Sequence, residues 1–433
     1  ILCWNRRAGK DTTSWNFMIY SAVEKKGIYY YVFPTFAQGR KVLWDGMTND
    51  AFKFTDFIPR ALIKHQNNHE MKITLVNGSL IQIVGSDNYD AIMGTNPNGC
   101  IFSEYSMQDP NAWQYIRPIL DANNGWAIFV FCVAPETIVL TENGPRKIER
   151  VSDKREEFSP LNKPIYGLGG FHNATEFYCG GKRKLLKITT KKGYQIRCTP
   201  NHPLWNGDKW IESKYLKIGD FLPIQRGQEI WNQEDFTTKE WERPIQGKQG
   251  NKKILSENFL THDMFYLMGL YLADGSGINT GRTLTITKSD KMISDFLFSQ
   301  GFKTVDGLHH TYSSTELCHF FKWFGLSGTA KEKQIPDRLL ECSRAQVISF
   351  LQGYFDGDGT AGVKKAGYIK VCSVSEELMR VLQVLLLNFG ITSRRSKYLV
   401  QPTEKVKVSS VVWNLELEGH SAYLYFSKIG FRG

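Results

Sequence analysis

One group of residues has the types and spacing for chemistry on a peptide bond. Cys132 follows a predicted strand, and its thiol could attack the preceding carbonyl, that of Phe131, to convert the amide into a thioester. Such an N→S shift is uphill unless the scissile amide is strained or hydrogen-bonded. Thr199 and His202 could supply a hydrogen bond to the junction and a proton to the leaving nitrogen. A lone cysteine is more often a buried core residue and a lone TxxH is more often a turn, so the assignment depends on the combination.

A second group has the types and spacing for phosphodiester cleavage. The segment LMGLYLADG recurs downstream as LQGYFDGDG, and this doubling predicts two similar halves related by pseudo-symmetry. If both repeats are helices that pack side by side, Gly269 and Gly353 let their backbones approach closely. Asp274 and Asp358 then arrive together, where two carboxylates could hold Mg²⁺ to activate water and stabilise the leaving oxygen. A single repeat is weaker evidence, because Asp-Gly turns are common.

The start of the chain contains a possible phosphate loop. The segment Arg6-Arg-Ala-Gly-Lys-Asp11 lies just before a predicted helix, where backbone N–H groups can cradle phosphate and Lys10 could reach the terminal phosphates. The segment departs from GxxxxGK[ST], and a basic helix start is the alternative. An apolar strand from Cys100 ends in Glu104, where an NTPase places the carboxylate that polarises water.

These residues require different scaffolds along the chain. Before residue 132, strands alternate with helical stretches, which predicts a parallel α/β sheet. The predicted elements are strands 28–33, 79–84, 99–102 and 126–131 and a helix over 12–24. From 132 to about 226, short strands broken by Gly, Asn and Pro predict an all-β unit, with strands at 137–141, 185–190 and 194–198.

The rest of the chain changes character twice. A polar stretch, 227–258, is rich in Gln, Glu and Lys and predicts a linker. Residues 259–395 mix helices and strands around the two repeats, and the tail from 396 returns to β-like alternation.

Composition narrows the class of protein. A chain of 433 residues predicts about three domains. The net charge of +11 permits nucleic-acid binding without proving it. None of the eight cysteines forms a CxxC pair, so a zinc ribbon is not indicated and reduced thiols are expected. No apolar run reaches the roughly 18 residues of a membrane span. The start, Ile-Leu-Cys-Trp, runs straight into a motif without a Met, and we expect a fragment there.

Cys132 with its following ValAlaProGluThrIleValLeu, together with Thr199 and His202, resembles the first two sequence blocks of inteins, which have the Hint fold. The resemblance implies self-splicing without a cofactor. The segment 412–423 resembles the penultimate intein block, with Asn414 in place of its usual Asp. Its histidine is then His420, shifted by one, with Ser421 at the matching place. The final His-Asn block is absent up to Gly433. A defective intein is one explanation, but we expect truncation, with a downstream Thr as the second nucleophile.

The two nine-residue repeats resemble the signature of LAGLIDADG homing endonucleases. This resemblance implies Mg²⁺-dependent cleavage of double-stranded DNA by Asp274 and Asp358. The segment Lys333-Gln-Ile-Pro resembles the KxIP block, in which a lysine contributes to cleavage, although a solvated lysine at a helix start would look the same. Five more basic residues are candidates for DNA phosphate contacts, although charge runs are more often solvated faces. They are Lys364, Lys365, Arg394, Arg395 and Lys397.

The first 131 residues resemble the ATPase of phage terminase large subunits, on TrpAsnArgArgAlaGlyLysAsp and IlePheSerGluTyr. The resemblance assigns nucleotide binding with Mg²⁺-ATP to the Walker A segment and the role of catalytic acid to Glu104. The Walker A residues are Arg6, Arg7, Gly9 and Lys10. Two positions depart from the pattern, because Asp11 replaces the usual Ser or Thr and Ser103 replaces the usual Walker B Asp.

The sequence therefore predicts a multidomain chain. An α/β P-loop ATPase fragment (1–131) precedes an all-β Hint splicing domain split in sequence (132–228 and 396–433). Between those two parts lies an α+β LAGLIDADG endonuclease with pseudo-two-fold symmetry (229–395). The expected partners are intein-less host DNA, then phage DNA and portal after splicing, in the cytoplasm of an infected bacterium, with no membrane. The alternatives are an ATP-driven packaging motor with an inert insertion, or a module that cleaves without ligating.

Overall fold

The computed structural model describes residues 10–47, 51–87, 94–103, 108, 110–129, 133–152, 158–167, 169–178, 184–200, 202–242, 260–362, 367–401 and 409–432. These residues form three units. We call them the sheet unit (10–129), the β unit (133–226) and the helix-pair unit (227–432).

The sheet unit is a six-stranded sheet with helices on both faces. Its elements are α1 (Lys10–Glu24), β1 (Ile28–Phe33), α2 (Phe36–Gly39), β2 (Ile63–Asn67), β3 (Lys72–Leu75), β4 (Leu80–Gly85), β5 (Pro97–Phe102), α3 (Pro110–Ala122) and β6 (Trp126–Phe129). The strand order is β2-β3-β4-β1-β5-β6. The four strands from β4 to β6 are parallel, which confirms the predicted parallel sheet. The antiparallel edge strands β2 and β3 were not predicted.

The central strand β1 supplies both faces of this sheet. Because successive side chains alternate across a strand, Tyr29 and Tyr31 pack in one cluster with Trp15 of α1. Val32 packs on the other face with Leu120 of α3. A strand covered on both sides has to be apolar throughout, and the sequence IYYYVF meets that requirement.

The β unit consists of small antiparallel sheets. Its strands are β7 (Ile138–Thr141), β8 (Gly144–Lys147), β9 (Phe158–Gly167), β10 (Gly170–Tyr178), β11 (Leu186–Thr189), β12 (Gln195–Cys198), β13 (Pro203–Trp205) and β14 (Trp210–Glu212). They form one sheet of order β10-β9-β7-β8 and two hairpins, β11-β12 and β13-β14. The three strands predicted here lie within one residue of β7, β11 and β12.

The helix-pair unit contains the same arrangement twice. The first half is α4 (His262–Asp274), β15 (Gly275–Ser276), β16 (Thr283–Thr287), α5 (Lys291–Ser299), β17 (Lys303–Thr304), β18 (His309–Ser313) and α6 (Thr315–Phe324). The second half is α7 (Arg344–Asp358), β19 (Thr360–Ala361), β20 (Tyr368–Ser373), α8 (Glu376–Asn388), β21 (Arg394–Val400), β22 (Ser410–Glu418) and α9 (His420–Lys428). The sheet orders β15-β16-β18-β17 and β19-β20-β22-β21 are equivalent, so the predicted doubling is confirmed at the level of topology. Single turns of 3₁₀ or π helix cover Arg40–Trp44, Phe54–Phe57, Arg60–Leu62, Ile148–Arg150, Ser213–Tyr215, Ile278–Thr280 and Asp337–Glu341.

Helices α4 and α7 carry the two sequence repeats and pack directly on each other. A Cβ on Gly269 would overlap the carbonyl oxygen of Phe350, and a Cβ on Gly353 would overlap that of Tyr266. The two backbones are therefore in contact across both glycines. Each helix begins at a side-chain cap that accepts a backbone N–H, and at Ser343 the cap is a full capping box.

Two predictions about the ends of this unit were wrong. The segment predicted as a linker is packed over its described part, 227–242, because Trp231 and Trp241 are buried in the core of the helix-pair unit. The tail predicted to belong to the splicing domain instead supplies β22, which pairs with β20 and β21. Alternating apolar residues predicted a strand correctly, but alternation does not identify the sheet that the strand joins.

Among the described residues, none of the helices has the length and apolarity that a membrane crossing requires.

The contact between α4 and α7 leads to a stability prediction. Alanine normally favours a helix over glycine by up to about 1 kcal/mol. We nevertheless expect Gly353→Ala to lower the free energy of unfolding by roughly 3 kcal/mol, because the added methyl overlaps a backbone carbonyl that cannot rotate away. Urea denaturation would measure it, with Met292→Ala on the exposed side of α5 as the control. Equal stability of Gly353→Ala and the parent protein would contradict the proposed backbone contact.

Candidate active sites

The two repeat carboxylates lie together at the ends of α4 and α7. Asp274 and Asp358 are the last residues of these helices. A Cβ on Gly357 would lie 3.7 Å from Asp274 Oδ2, so this carboxylate reaches the end of the partner helix. Burial, and then the negative charge of Asp274, raise the pKa of Asp358 to about 6. The structure thus brings the two predicted acids into one electrostatically coupled site.

Two lysines flank these carboxylates. Lys333 Nζ donates to the carbonyl of Ala273 at 2.8 Å. Burial lowers the pKa of Lys333, and the charges of Asp358 and Asp274 oppose that fall. Lys288, which sequence reasoning missed, donates to Asp274 Oδ2 at 2.8 Å and to the carbonyl of Gly357. The only available signal was topological, because Lys288 directly follows β16, the strand beside the end of α4.

The donor atoms at this site suit a hard cation. Two carboxylates lie beside the carbonyls of Ala273 and Gly357, and all four groups offer oxygen. No cluster of three or more His, Cys, Asp or Glu that could hold a metal ion occurs in the described part of the chain. Mg²⁺ commonly takes one or two carboxylates and completes its shell with water and substrate phosphate, so the residues present fit this ion.

Both sheets present polar side chains on their outer faces. In β16, Leu284 and Ile286 are buried in the core, so the alternate residues Thr283 and Thr285 face outward. In the other half, Arg394 pairs with Glu416 on β22 and is exposed.

The five basic residues predicted to contact DNA differ in where their side chains lie. Arg394 lies on the outer face of its sheet. Arg395 lies on the opposite face, is 5% exposed and donates to the carbonyl of Gly193, so its prediction as a DNA contact was wrong. Lys397 shares the face of Arg395 and lies over the ring of Trp413 at 5.4 Å. Lys364 and Lys365 lie outside the described residues.

Two of the residues predicted for peptide chemistry, Thr199 and His202, lie between β12 and β13. Thr199 and His202 are both buried, and the His202 N–H donates to the Thr199 carbonyl at 2.9 Å. Cys132 and Phe131 lie outside the described residues, but the next residue along the chain is placed. Val133 forms an antiparallel bridge with Cys198, and the Ala134 N–H donates to the Arg197 carbonyl at 2.8 Å. The chain that follows Cys132 is therefore paired with the strand that ends just before Thr199.

Ser213, which sequence reasoning missed, stabilises the turn from Thr199 to His202 by hydrogen bonds. Ser213 donates to the His202 carbonyl through both Oγ, at 2.6 Å, and its N–H, at 2.8 Å. Its Oγ also lies 3.0 Å from Cys198 Sγ. Burial raises the pKa of the Cys198 thiol, so this cysteine is a structural contact rather than a nucleophile. No sequence motif marks Ser213, because its position beside His202 depends on the pairing of β13 with β14.

The residues proposed as an intein tail lie elsewhere. Asn414 is buried in β22, paired with Cys372 on one side and Ser396 on the other. His420 begins α9, and Ser421 Oγ is 2.8 Å from Thr392 Oγ1. All of these contacts belong to the second half of the helix-pair unit, so the assignment of this segment to a splicing block was wrong.

At the start of the chain, the two departures from the nucleotide-binding pattern touch each other. Asp11 Oδ1 accepts hydrogen bonds from Ser103 Oγ and from the Tyr31 hydroxyl, both at 2.8 Å. A carboxylate on α1 and a hydroxyl after the end of β5 are thus joined by a direct hydrogen bond. Arg6, Arg7, Gly9 and Glu104 lie outside the described residues, as does the side chain of Lys10.

Known proteins resemble parts of this chain. The chain is 31% identical over 241 residues to the DNA-directed RNA polymerase subunit Rpo1C of Methanocaldococcus jannaschii, covering 49% of this chain and 28% of that protein. It is 26% identical to the replication factor C small subunit of the same organism, covering 65% of this chain and 15% of that protein. It is 22% identical to the ribonucleoside-diphosphate reductase NrdEB subunit alpha of Bacillus subtilis, covering 64% and 28%. The chain thus spans less than a third of the length of these relatives.

Two solved structures resemble parts of the chain at low similarity. The ATPase domain of the Thermus phage P74-26 large terminase is 16% identical with a TM-score of 0.26, covering 30% of this chain and 57% of that one. The homing endonuclease I-WcaI, solved on its DNA recognition sequence, is 13% identical with a TM-score of 0.28, covering 39% and 80%.

A family model, the LAGLIDADG-like domain, matches residues 345–430. This range runs from α7 to α9, and it includes the tail strands that the sequence had suggested for the splicing domain. The chain is therefore multidomain and contains a LAGLIDADG-like domain over residues 345–430.

Proposed function

We propose that the helix-pair unit is a DNA endonuclease of the homing class and that the β unit, with Cys132, performs the first step of protein splicing. Together they would form an intein set inside an ATPase of the terminase type. The main support for the nuclease is that Asp274 and Asp358 lie together at the ends of two helices that pack through glycines. For splicing, it is the pairing of Val133 beside the buried Thr199 turn.

In the nuclease, Asp274 and Asp358 would hold Mg²⁺ together with phosphate and water oxygens. When bound, the ion would lower the pKa of a water molecule and neutralise charge on the phosphate. Lys333 and Lys288 place two positive charges beside the carboxylates. Each lysine bonds a main-chain carbonyl in the free protein, and it can exchange that bond for a charge-assisted one to a DNA phosphate.

Double-stranded DNA is the proposed substrate. The two sheets present threonines on one half and Arg394 on the other, and these groups can bond phosphates and base edges. The net charge of +11 favours a polyanion. The doubled topology offers two similar surfaces, which suits a duplex whose two strands are cut by one pair of carboxylates.

In the splicing step, the Cys132 thiol would lose its proton to solvent, and its Sγ would attack the carbonyl carbon of Phe131. The C–N bond breaks, the acyl group moves to sulfur, and the released amine takes a proton from His202. Thr199 would hydrogen-bond the junction before the shift. The bridge between Val133 and Cys198 supports this proposal, because it directs the chain after Cys132 along the strand that leads to Thr199.

The insertion itself is supported by the relatives. Part of this chain resembles three proteins that are named for different activities. They are an RNA polymerase subunit, a replication factor subunit and a ribonucleotide reductase. A shared inserted element accounts for that pattern better than a shared host activity does. We propose ATP with Mg²⁺ as the ligand of the host ATPase, and phage DNA and the portal as its partners after splicing. The Asp11–Ser103 pair retains a carboxylate and a hydroxyl where that metal would bind.

A packaging motor with an inert or cleavage-only insertion is the alternative. It predicts an intact chain that turns over ATP, whereas an intein predicts a self-cleaved product.

The splicing proposal predicts thiol-dependent cleavage. Added thiol should release a fragment that ends at Phe131, because exchange with the thioester frees the upstream acyl group. Cys132→Ala should abolish release, and His202→Ala should slow it roughly 100-fold. Mass spectrometry of the products would measure this, with Cys372→Ala as a control at an exposed cysteine. Release that survives Cys132→Ala would exclude this junction.

The nuclease proposal predicts cleavage of the uninterrupted host gene around the codon for Phe131. Mg²⁺ should support double-strand cutting there, because a homing element cuts alleles that lack it. Asp274→Asn or Asp358→Asn should remove cutting while DNA binding persists, since each removes a charged oxygen ligand without changing shape. Gel assays of cutting and binding would separate the two effects, and the exposed Asp295→Asn is the control. Full cutting by either active-site variant would refute the assignment.

The raised pKa of Asp358 predicts a pH-dependent stability in metal-free solution. The folded protein holds this proton up to about pH 6, whereas the unfolded chain loses it near pH 4. Between these values the folded state binds more protons, so this group makes stability fall as pH rises. Asp358→Asn should therefore stabilise the protein at pH 7 by up to about 3 kcal/mol, and the gain should vanish below about pH 4. Urea denaturation in EDTA across this range would measure it, and a gain that grows towards low pH would contradict the coupled site.

A further inference from the structure

The turn that leads into the splicing strand is held by the second half of the helix-pair unit. Residues 190–194 join β11 to β12, and β12 ends at Cys198, directly before Thr199. The Arg395 N–H donates to the Lys192 carbonyl at 2.9 Å. Gln383 Nε2 donates to the same carbonyl at 2.9 Å and to the Ser393 carbonyl at 3.2 Å. The two bonds to the Lys192 carbonyl join two units that have separate sheets, and the bond to Ser393 holds the Gln383 side chain within its own unit.

Arg395 closes this contact with its side chain. Its guanidinium Nη2 donates to the Gly193 carbonyl at 2.9 Å, and its side chain is 1% exposed. The guanidinium carbon lies over the Trp413 ring, 5.2 Å from its centre. Burial lowers the pKa of Arg395, and the nearby carboxylate of Glu376 opposes that fall. A buried arginine is costly unless its donors are used, and the Gly193 carbonyl accepts from one of them.

Gly193 is shaped for this contact. Its φ is +86°, in the left-handed region, and a Cβ there would lie 2.6 Å from the Arg395 carbonyl oxygen. The hydroxyl of Tyr194, the next residue, accepts a hydrogen bond from the Ser393 N–H at 3.0 Å. The residues on both sides of Gly193, Lys192 and Tyr194, are therefore hydrogen-bonded to the helix-pair unit.

We propose that Arg395 is a positioning residue for the splicing step, through its bond to the turn that carries β12 and, beyond it, Thr199 and His202. This inference rests on the proposed splicing function. It assigns to the endonuclease half a role in peptide chemistry that is separate from DNA cleavage. A two-stranded hairpin is marginally stable by itself in water, so β12 depends on this external support to keep Thr199 at the junction. Misplacement by about 1 Å can lower a rate roughly 100-fold.

The test is the rate of thiol-dependent cleavage after Phe131 in the full chain. Arg395→Met keeps the apolar stem and removes the donors, and we expect the rate constant to fall by roughly tenfold or more. The fall should be the same at every pH, because the proton donor His202 is unchanged. Free guanidinium should restore part of the rate in Arg395→Ala. Arg344→Met is the matched control, since this arginine of the same half contacts Glu229 and Phe389 and not the β unit.

Two further measurements separate the possible failures. Gly193→Ala attacks the same contact from the β unit, and it should slow cleavage even if Arg395→Met perturbs the helix-pair unit. DNA cutting by Gly193→Ala should remain unchanged. An unchanged cleavage rate in both Arg395→Met and Gly193→Ala would overturn the inference. Absence of thiol-dependent cleavage in the parent protein would instead overturn the splicing proposal on which the inference rests.

Discussion

The backbones of α4 and α7 can touch only because Gly269 and Gly353 have no side chains. This contact fixes the distance between the helix axes, and with it the place where both helices end. Asp274 and Asp358 therefore face a common space, and burial with mutual repulsion raises the pKa of Asp358. That repulsion is a cost to the folded protein. Sites that must bind a cation commonly retain such a cost, because stability and function make opposite demands on the same charges.

A second dependence joins the β unit to this frame. Its two hairpins are too small to be stable alone, and the β11–β12 hairpin contacts α8 and β21 through the Lys192 and Gly193 carbonyls. Ion pairs join the two units at a second place. Asp337 lies 2.7 Å from Lys147 Nζ and 3.0 Å from Arg150 Nε. A cavity of about 430 Å³ remains between the two units, lined by apolar residues that include Ile138, Ile196 and Val384. The proposed peptide site and the proposed phosphodiester site thus lie in different units that are joined by these contacts.

The parts that could be predicted from sequence are those in which a local pattern determines the outcome. The repeated nine residues specify helices, close approach and paired acids together, and TxxH marks its own turn. Lys288 could not be predicted, because its role comes from the pairing of β16 and not from a motif. The tail was misassigned since strand alternation leaves the partner sheet open. The stretch after 227 was misassigned as a linker because its composition is polar. Trp231 and Trp241 lie within it, and their burial packs it against the core. Arg395 had the residue type of a DNA contact, but its strand register turns it inward.

The central claim is that the ends of α4 and α7 form one cation-dependent phosphodiester site. The most direct measurement is the anomalous scattering of Mn²⁺ in crystals of the protein bound to DNA of the uninterrupted host gene. The account predicts a Mn²⁺ peak between the carboxylates of Asp274 and Asp358, in contact with a backbone phosphate, and loss of that peak in Asp274→Asn. A DNA complex in which Mn²⁺ binds elsewhere, or in which the phosphates lie away from both carboxylates, would contradict it.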